Sequence, residues 1–239
     1  MRIEVLGVPI DNVNMEQALS AALMLMERPE AAYCVTPNAE IVYETLTDQE
    51  LKACVCQADL ILPDGAGVVL GAKILGTPLQ EKVAGIDFAA NLMERMAAEG
   101  KTLYLLGGKP GVAETAAERL REKYPELVIC GMRDGYFTED APVVAEINCQ
   151  KPDALFVCLG AGKQEKFMNA HQKELRVGFM AGLGGSLDGF AGNVKRAPKW
   201  MIRCNLEWLY RLLKEPWRFG RMLRLPKFLW KVVRVRMKG

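Results

Sequence analysis

Asp64 stands between Pro63 and Gly65 in the stretch ILPDGAGVVLG (61–71), where one apolar run stops and another begins. A carboxylate in that place has two readings. It caps the helix formed by the apolar residues that follow, a position aspartate favours, or it is held at a strand end to act on something bound there. Comparable breaks follow other apolar runs. They are Thr36-Pro37-Asn38, Gly107-Gly108-Lys109-Pro110-Gly111, Gly160-Ala161-Gly162-Lys163-Gln164-Glu165, and the run from Gly182 to Gly189 that holds Asp188. Glycines let backbone N–H groups come close to a ligand, and helix N-termini favour anions. Several such loops on one edge describe a cleft for a nucleotide or another phosphate-bearing molecule.

Rival chemistries fit less well. The seven cysteines (34, 54, 56, 130, 149, 158, 204) show no Cys-x2-Cys pair, and His171 is the only histidine. A zinc site or a Cys/His nucleophile is therefore not expected, and no metal is. Most of the cysteines lie in apolar runs, where a free thiol is a small hydrophobe, which suits a reducing cytoplasm. For a nicotinamide or flavin, the expected first βα turn, Val8–Asn14, lacks glycines. The run from Gly65 to Gly71 misses the G-x-G-x-x-G spacing by one residue. The phosphate-binding loop ending in Gly-Lys-Ser/Thr is absent too, so the expectation is no cofactor.

The elements that must position these loops alternate. Asn14 and Gln17 form a capping box that opens an Ala/Leu/Met-rich helix ending near Pro29. Strands are expected at 32–36, 59–62, 102–108, 127–130, 154–160 and 177–181. Helices are expected after Asn38, at 51–57, 87–98, 141–149 and 163–174, and from Pro110, read as sitting just inside a helix start. The strands are apolar without period-2 alternation and each leads to a helix, which predicts a parallel sheet covered on both faces. The fold class is α/β: a doubly wound, Rossmann-like, mostly parallel sheet carrying a basic α-helical C-terminal appendage. In such folds ligands sit at the C-terminal ends of the strands.

Half of the 239 residues are apolar (50%) and a quarter charged (25%), ordinary for a globular protein, but the net charge of +2 conceals a division. Residues 195–239 hold fourteen of the 31 basic residues and two of the 29 acidic ones, a formal +12, which leaves −10 on residues 1–194. Two regions are thus expected: an α/β body (1–194) and a basic amphipathic appendage (195–239). The appendage interleaves Trp, Phe and Leu with its cations, and Arg211, Lys214, Arg218 and Arg221 recur at helical spacing. That composition reads as a segment lying on an anionic membrane surface. Nucleic acid is the other polyanion, but tracking phosphates does not call for so many large aliphatic side chains, so no nucleic-acid partner is expected. A helical hairpin packed on the body with solvated basic faces also stays open. No signal-peptide core or run of the ~18–20 apolar residues needed to span a bilayer is present. The expected location is cytoplasmic, peripheral on the inner face of the membrane.

TPNAE (36–40), LPDGAGVV (62–69), VAGIDF (83–88), LLGGKPGVAE (105–114), GAGKQEKF (160–167), GGSLDGFAGNVKRAP (184–198) and EWLYRLLKEPWR (207–218) together resemble the WecG/TagA/CpsF family of bacterial glycosyltransferases. The resemblance runs through nearly the whole chain in order. It implies an inverting, metal-independent transfer of N-acetylmannosamine from UDP-ManNAc to the 4-hydroxyl of GlcNAc on undecaprenyl diphosphate, as in making the linkage unit of wall teichoic acid. The alternatives are another donor such as UDP-ManNAcA, or a non-catalytic nucleotide-binding module at the membrane surface. A homo-oligomer is compatible with either.

By the same resemblance Asp64 is the base that deprotonates the acceptor hydroxyl, and Thr36 and Asn38 orient the sugar. Gln164 and Asp188 contact donor or acceptor, and Gly107 and Gly108 belong to the substrate-binding loops. Arg211, Arg218 and Arg221 neutralise the diphosphate. Two positions depart from the family pattern. Lys82 replaces an arginine, keeping the charge without the bidentate fork, and Gly162 replaces a proline. Deleting residues 195–239 is expected to leave a folded body that has lost activity and membrane association.

Overall fold

A computed structural model of the chain describes residues 1–204, 206–214, 220 and 223–238. Its centre is a six-stranded parallel sheet. The strands are β3 (Ala32–Val35), β4 (Leu60–Ile61), β5 (Thr102–Gly107), β6 (Val128–Arg133), β7 (Ala154–Cys158) and β8 (Phe179–Gly182), in the order β4-β3-β8-β7-β5-β6. Every residue of β3, β7 and β8 is buried, as their unbroken apolar text predicts for strands covered on both faces. The sequence-predicted Rossmann-like α/β class is what the chain adopts.

Two apolar clusters, one on each face of the sheet, make three layers. One face is covered by α1 (Met15–Met26), α5 (Gly85–Ala98), α6 (Val112–Lys123) and the short α9 (Ser186–Phe190). The other is covered by α2 (Ala39–Glu44), α3 (Gln49–Cys56), α4 (Ala66–Leu75), α7 (Asp140–Gln150) and α8 (Lys163–His171). The connections leaving β3 and β8, which are neighbours, therefore depart to opposite faces. In open α/β sheets such a divergence marks the crevice where ligands bind, here at the C-terminal edge between the two loops.

Several local predictions hold and several shift. Asn14 and Gln17 form the capping box of α1, and Asn38 caps α2 by accepting from the amides of Glu40 and Ile41. Pro110 is not inside α6. The N-cap is Gly111 at φ 86°, one residue beyond the proline. Val8–Asn14 is not the first βα turn: β1 (Arg2–Val5) and β2 (Val8–Asp11) form an antiparallel hairpin apart from the main sheet. The hairpin guards the β4 edge, where Asp11 Oδ2 accepts from the Ile61 amide at 2.9 Å and Arg2 donates to the carbonyls of Ala58 and Asp59. An edge left with bare amides would invite pairing with another chain.

The C-terminal segment supplies α10 (Lys199–Arg203), α11 (Glu207–Lys214) and α12 (Arg224–Arg236). α12 packs on α2 and α4, with Phe228 and Val232 fully buried in the second cluster. Glycines of α4 make the seat. A Cβ at Gly71 would lie 2.8 Å from Phe228 Cζ, and one at Gly67 would lie 2.8 Å from Leu225 Cδ1. Gly67 and Gly71 thus form a packing groove, which explains the failed dinucleotide spacing. Arg224 adds ion pairs to Glu40 (3.1 Å) and Glu44 (2.8 Å) of α2. This part of the basic segment belongs to the body's core, so removing residues 195–239 would uncover the face of α4 that Phe228 and Val232 cover. Among the described residues no helix is long and apolar enough to cross a membrane.

Candidate functional site

The crevice assembles around the ends of β4, β3, β8 and β7. At β4 the chain turns at Pro63, and the Asp64 amide donates to the Leu62 carbonyl at 2.9 Å. The N-cap of α4 is Gly65, at φ 81°, a conformation that a Cβ-bearing residue enters only with strain. The helix-cap position thus falls one residue past Asp64, leaving the half-buried carboxylate on the loop at the strand end. Gly65 lies against the β3 loop: a Cβ there would stand 3.5 Å from Asn38 Cβ. Asp64 and Asn38 therefore occupy adjoining loops.

Lys82 approaches from the connection between α4 and α5. Its neighbour Val83 donates to the Pro63 carbonyl at 3.0 Å, which lays the connection beside the Asp64 loop. The connection is pinned elsewhere as well: Gln80 bonds twice to Asn12 at 2.8 Å, and Glu81 accepts from the Met15 amide. Lys82 is half-buried and makes no ion pair among the described residues. A bound anion would find an uncommitted cation there.

Thr36 and Gln164 are placed differently from a residue that lines a pocket. Thr36 is buried and its hydroxyl donates to the Gly182 carbonyl at 2.9 Å, tying the ends of β3 and β8 across the crevice floor. Gln164 is 2% exposed, with both ends of its amide engaged inside the protein. Its Oε1 accepts from the Gly184 amide, and its Nε2 donates to Glu165 Oε1, each at 2.9 Å. Asn38 spends its side-chain oxygen on α2, and its amide nitrogen has no partner among the described residues. These three residues are together in space, as the sequence predicted, with two of them beneath the surface.

Glu165 went unnoticed in the sequence. It is fully buried and accepts from the amide of Gly162, the N-cap of α8, at 2.7 Å; glycine has no side chain to return a capping bond. Burial pushes its carboxyl above the ordinary value, opposed by its hydrogen bonds from Gln164 and the backbone.

The loops beyond β7 and β8 are open. Gly160 (φ 85°), Gly162 (φ 83°) and Gly184 (φ 57°) take positive-φ conformations, and a Cβ on any of them or on Gly185 would meet nothing within 4 Å among the described residues. No described side chain crowds the backbone there. Gly107 and Gly108 serve packing instead. A Cβ at Gly107 would fall 2.3 Å from the Cys158 carbonyl oxygen, and Gly108 bridges Cys158 and Gly135 through its own N–H and C=O. Asp188, on α9, is half-buried and accepts a long 3.4 Å bond from Asn193. It lies near enough to Cys158 to help burial push that thiol up to about 12, so Cys158 stays protonated at neutral pH and is no nucleophile. His171 is held elsewhere, between Asp140 and Glu174.

Of the three arginines expected to act on the diphosphate, Arg211 is carried by α11 but its side chain is not among the parts described, and Arg218 and Arg221 lie outside the described residues. The start of the basic segment is anchored next to the crevice. Arg196 makes a two-pronged ion pair to Asp87, in the first turn of α5, at 2.5 Å for each prong. No cluster of three or more His, Cys, Asp or Glu suited to a metal ion occurs among the described residues.

Residues 3–239 match the family model described as "Glycosyl transferase WecG/TagA/CpsF family". Among similar proteins is the N-acetylglucosaminyldiphosphoundecaprenol N-acetyl-beta-D-mannosaminyltransferase of Bacillus spizizenii, 38% identical over 209 residues, covering 87% of this chain and 81% of that one. The protein of the same name from Bacillus subtilis is 39% identical over 199 residues, covering 83% and 78%. That from Staphylococcus aureus strain MW2 is 33% identical over 239 residues, covering 99% and 94%.

Proposed function

The chain belongs to the WecG/TagA/CpsF family of glycosyl transferases, and from that premise we propose that it transfers N-acetylmannosamine from UDP-ManNAc to the 4-hydroxyl of GlcNAc on undecaprenyl diphosphate. The reaction proceeds with inversion and without a metal. The reading is supported most by the near-full-length match to relatives whose name gives N-acetylmannosamine transfer to that lipid-linked GlcNAc, coupled to a carboxylate, Asp64, on the strand-end loop beside Asn38.

In a single displacement, Asp64 takes the proton of the acceptor hydroxyl as that oxygen attacks the anomeric carbon. The bond from the anomeric carbon to the UDP oxygen breaks on the opposite face, and UDP departs with growing negative charge. Asn38, next to Asp64, orients the sugar through its amide. The sequence has no Asp-x-Asp pair of the kind that holds a divalent ion in many nucleotide-sugar transferases. Positive charge from Lys82, Arg211, Arg218 and Arg221, together with the open glycine loops and helix N-termini, stabilises the leaving group instead.

The acceptor's lipid sits in a membrane, and the basic segment suits its surface. Trp200, Trp208, Leu213, Trp230, Val233 and Met237 are exposed there among lysines and arginines. Such a surface binds an anionic leaflet through both apolar contact and charge.

The test is UDP release by the purified chain, with a lipid-linked GlcNAc acceptor, EDTA and a panel of UDP-sugars. The reading expects turnover with UDP-ManNAc, undiminished by the chelator. Turnover with UDP-ManNAcA in its place would change the donor and keep the chemistry. Absence of turnover with every donor would leave a non-catalytic binding module.

A further inference from the structure

A carboxylate with no exposed surface and no cation beside it is costly, because ionisation in a low-dielectric interior lacks compensation. Glu165 is in that position: among the described residues no lysine or arginine pairs with it. What it has is a directed chain of hydrogen bonds. The Gly162 amide donates to Oε2 (2.7 Å), Gln164 Nε2 donates to Oε1 (2.9 Å), and the Gly184 amide donates to Gln164 Oε1 (2.9 Å). The chain thus runs from the β7–α8 loop to the β8–α9 loop, beneath both. Gly182 closes over it, since a Cβ there would lie 3.1 Å from Gln164 Nε2, and Thr36 bonds the Gly182 carbonyl from the β3 side.

The loops that this chain joins are rich in glycine. Gly160, Gly162, Gly184 and Gly185 contribute no side chains, and glycine is the residue with the most backbone freedom to lose. The Glu165–Gln164 chain bonds one amide of each loop from underneath and so links their separation and direction.

We infer that Glu165 is a positioning residue for the nucleotide-sugar donor, acting through Gln164 to hold the Gly160–Gly162 and Gly184–Gly185 loops as one anion-receiving surface. This rests on the crevice being a donor site. It also gives Gln164 a role from below the cleft, distinct from the direct substrate contact implied by family resemblance. The raised carboxyl of Glu165 is consistent with a group kept for its geometry against the cost of its burial.

The polarity of the chain supplies the test. In Glu165→Gln one acceptor becomes a donor, so either the Gly162 amide or the Gln164 amide loses its partner. In Gln164→Glu two carboxylates face each other. The double variant Gln164→Glu/Glu165→Gln restores every bond: the carboxylate at 164 accepts from the Gly184 amide and the new side-chain amide, whose oxygen accepts from the Gly162 amide. Each single variant of the full chain is expected to raise the donor KM about tenfold, the factor of ~1.4 kcal/mol, with the acceptor KM unchanged. The exchanged pair is expected to return it to within about threefold of wild type. Amide exchange at Gly162 and Gly184, followed by NMR, should quicken in the single variants and recover in the pair.

If Gln164→Glu does not fold, Glu165→Gln and the double variant carry the comparison. Wild-type donor KM in Glu165→Gln would overturn the inference. So would a double variant that regains amide protection without regaining donor affinity, which would place Gln164 in direct contact with the donor. A wild type that binds no UDP-sugar is the separate result, and it would remove the proposed function itself.

Discussion

Asp64, on the loop after β4, and Glu165, in the first turn of α8, differ in how much the sequence discloses. For Asp64, residue type and the Pro-Asp-Gly setting left a helix cap and a chemical group both open. The geometry moves the cap to Gly65 and leaves Asp64 beside Asn38 and the Lys82 connection. Glu165 reads as one more charge in a GKQE run, and only the fold reveals that α8 turns it inward. Its buried state has a measurable signature. The folded chain raises its pKa above the ordinary 4.5, so the neutral form is favoured in the folded state. The associated stability is fully present below pH 4.5 and is lost as pH rises through the raised value. In thermal melts from pH 4 to 8, wild type should therefore lose stability relative to Glu165→Gln as pH rises, even though that variant binds donor less well. A stability difference that does not change with pH would mean Glu165 is not desolvated.

At the scale of elements, most strands and helices were legible because buried parallel strands are continuous apolar runs and Asn14 and Asn38 cap as their residue types favour. Two features were not. The hairpin of β1 and β2 reads as a strand and turn until pairing is known, since antiparallel partnership is a tertiary fact. The glycines of α4 resemble a damaged cofactor fingerprint until α12 fills the groove they leave. That docking makes a contrast between apolar and ionic contacts. Phe228→Ala should cost about 3–5 kcal/mol, the usual loss for a fully buried aromatic. Arg224→Ala removes partly exposed ion pairs to Glu40 and Glu44, and should cost about 0.2–1 kcal/mol. Urea denaturation of the two variants measures both. Similar losses would mean that charge, not burial of Phe228, holds α12 in place.

At the scale of the whole molecule, the sequence carries its charge division openly, +12 from residue 195 onward against −10 before it. What it conceals is that the basic segment is not a detachable tail, because α12 shares the core with α2 and α4. The described exposed tryptophans all lie on that segment, at positions 200, 208 and 230. Co-sedimentation with vesicles should accordingly require anionic lipid and weaken as salt rises from 0.05 to 0.5 M, over which the screening length falls from about 14 to 4 Å. Equal binding to neutral vesicles would take charge out of the interaction. In the proposed reaction Asp64 takes the proton of a lipid-borne hydroxyl. The most direct test compares wild type and Asp64→Asn for disaccharide-lipid formed from UDP-ManNAc, with UDP binding followed in parallel. Loss of about 10²–10⁴-fold in turnover with UDP affinity unchanged is the result expected of a missing general base. Full turnover by Asp64→Asn would contradict the account.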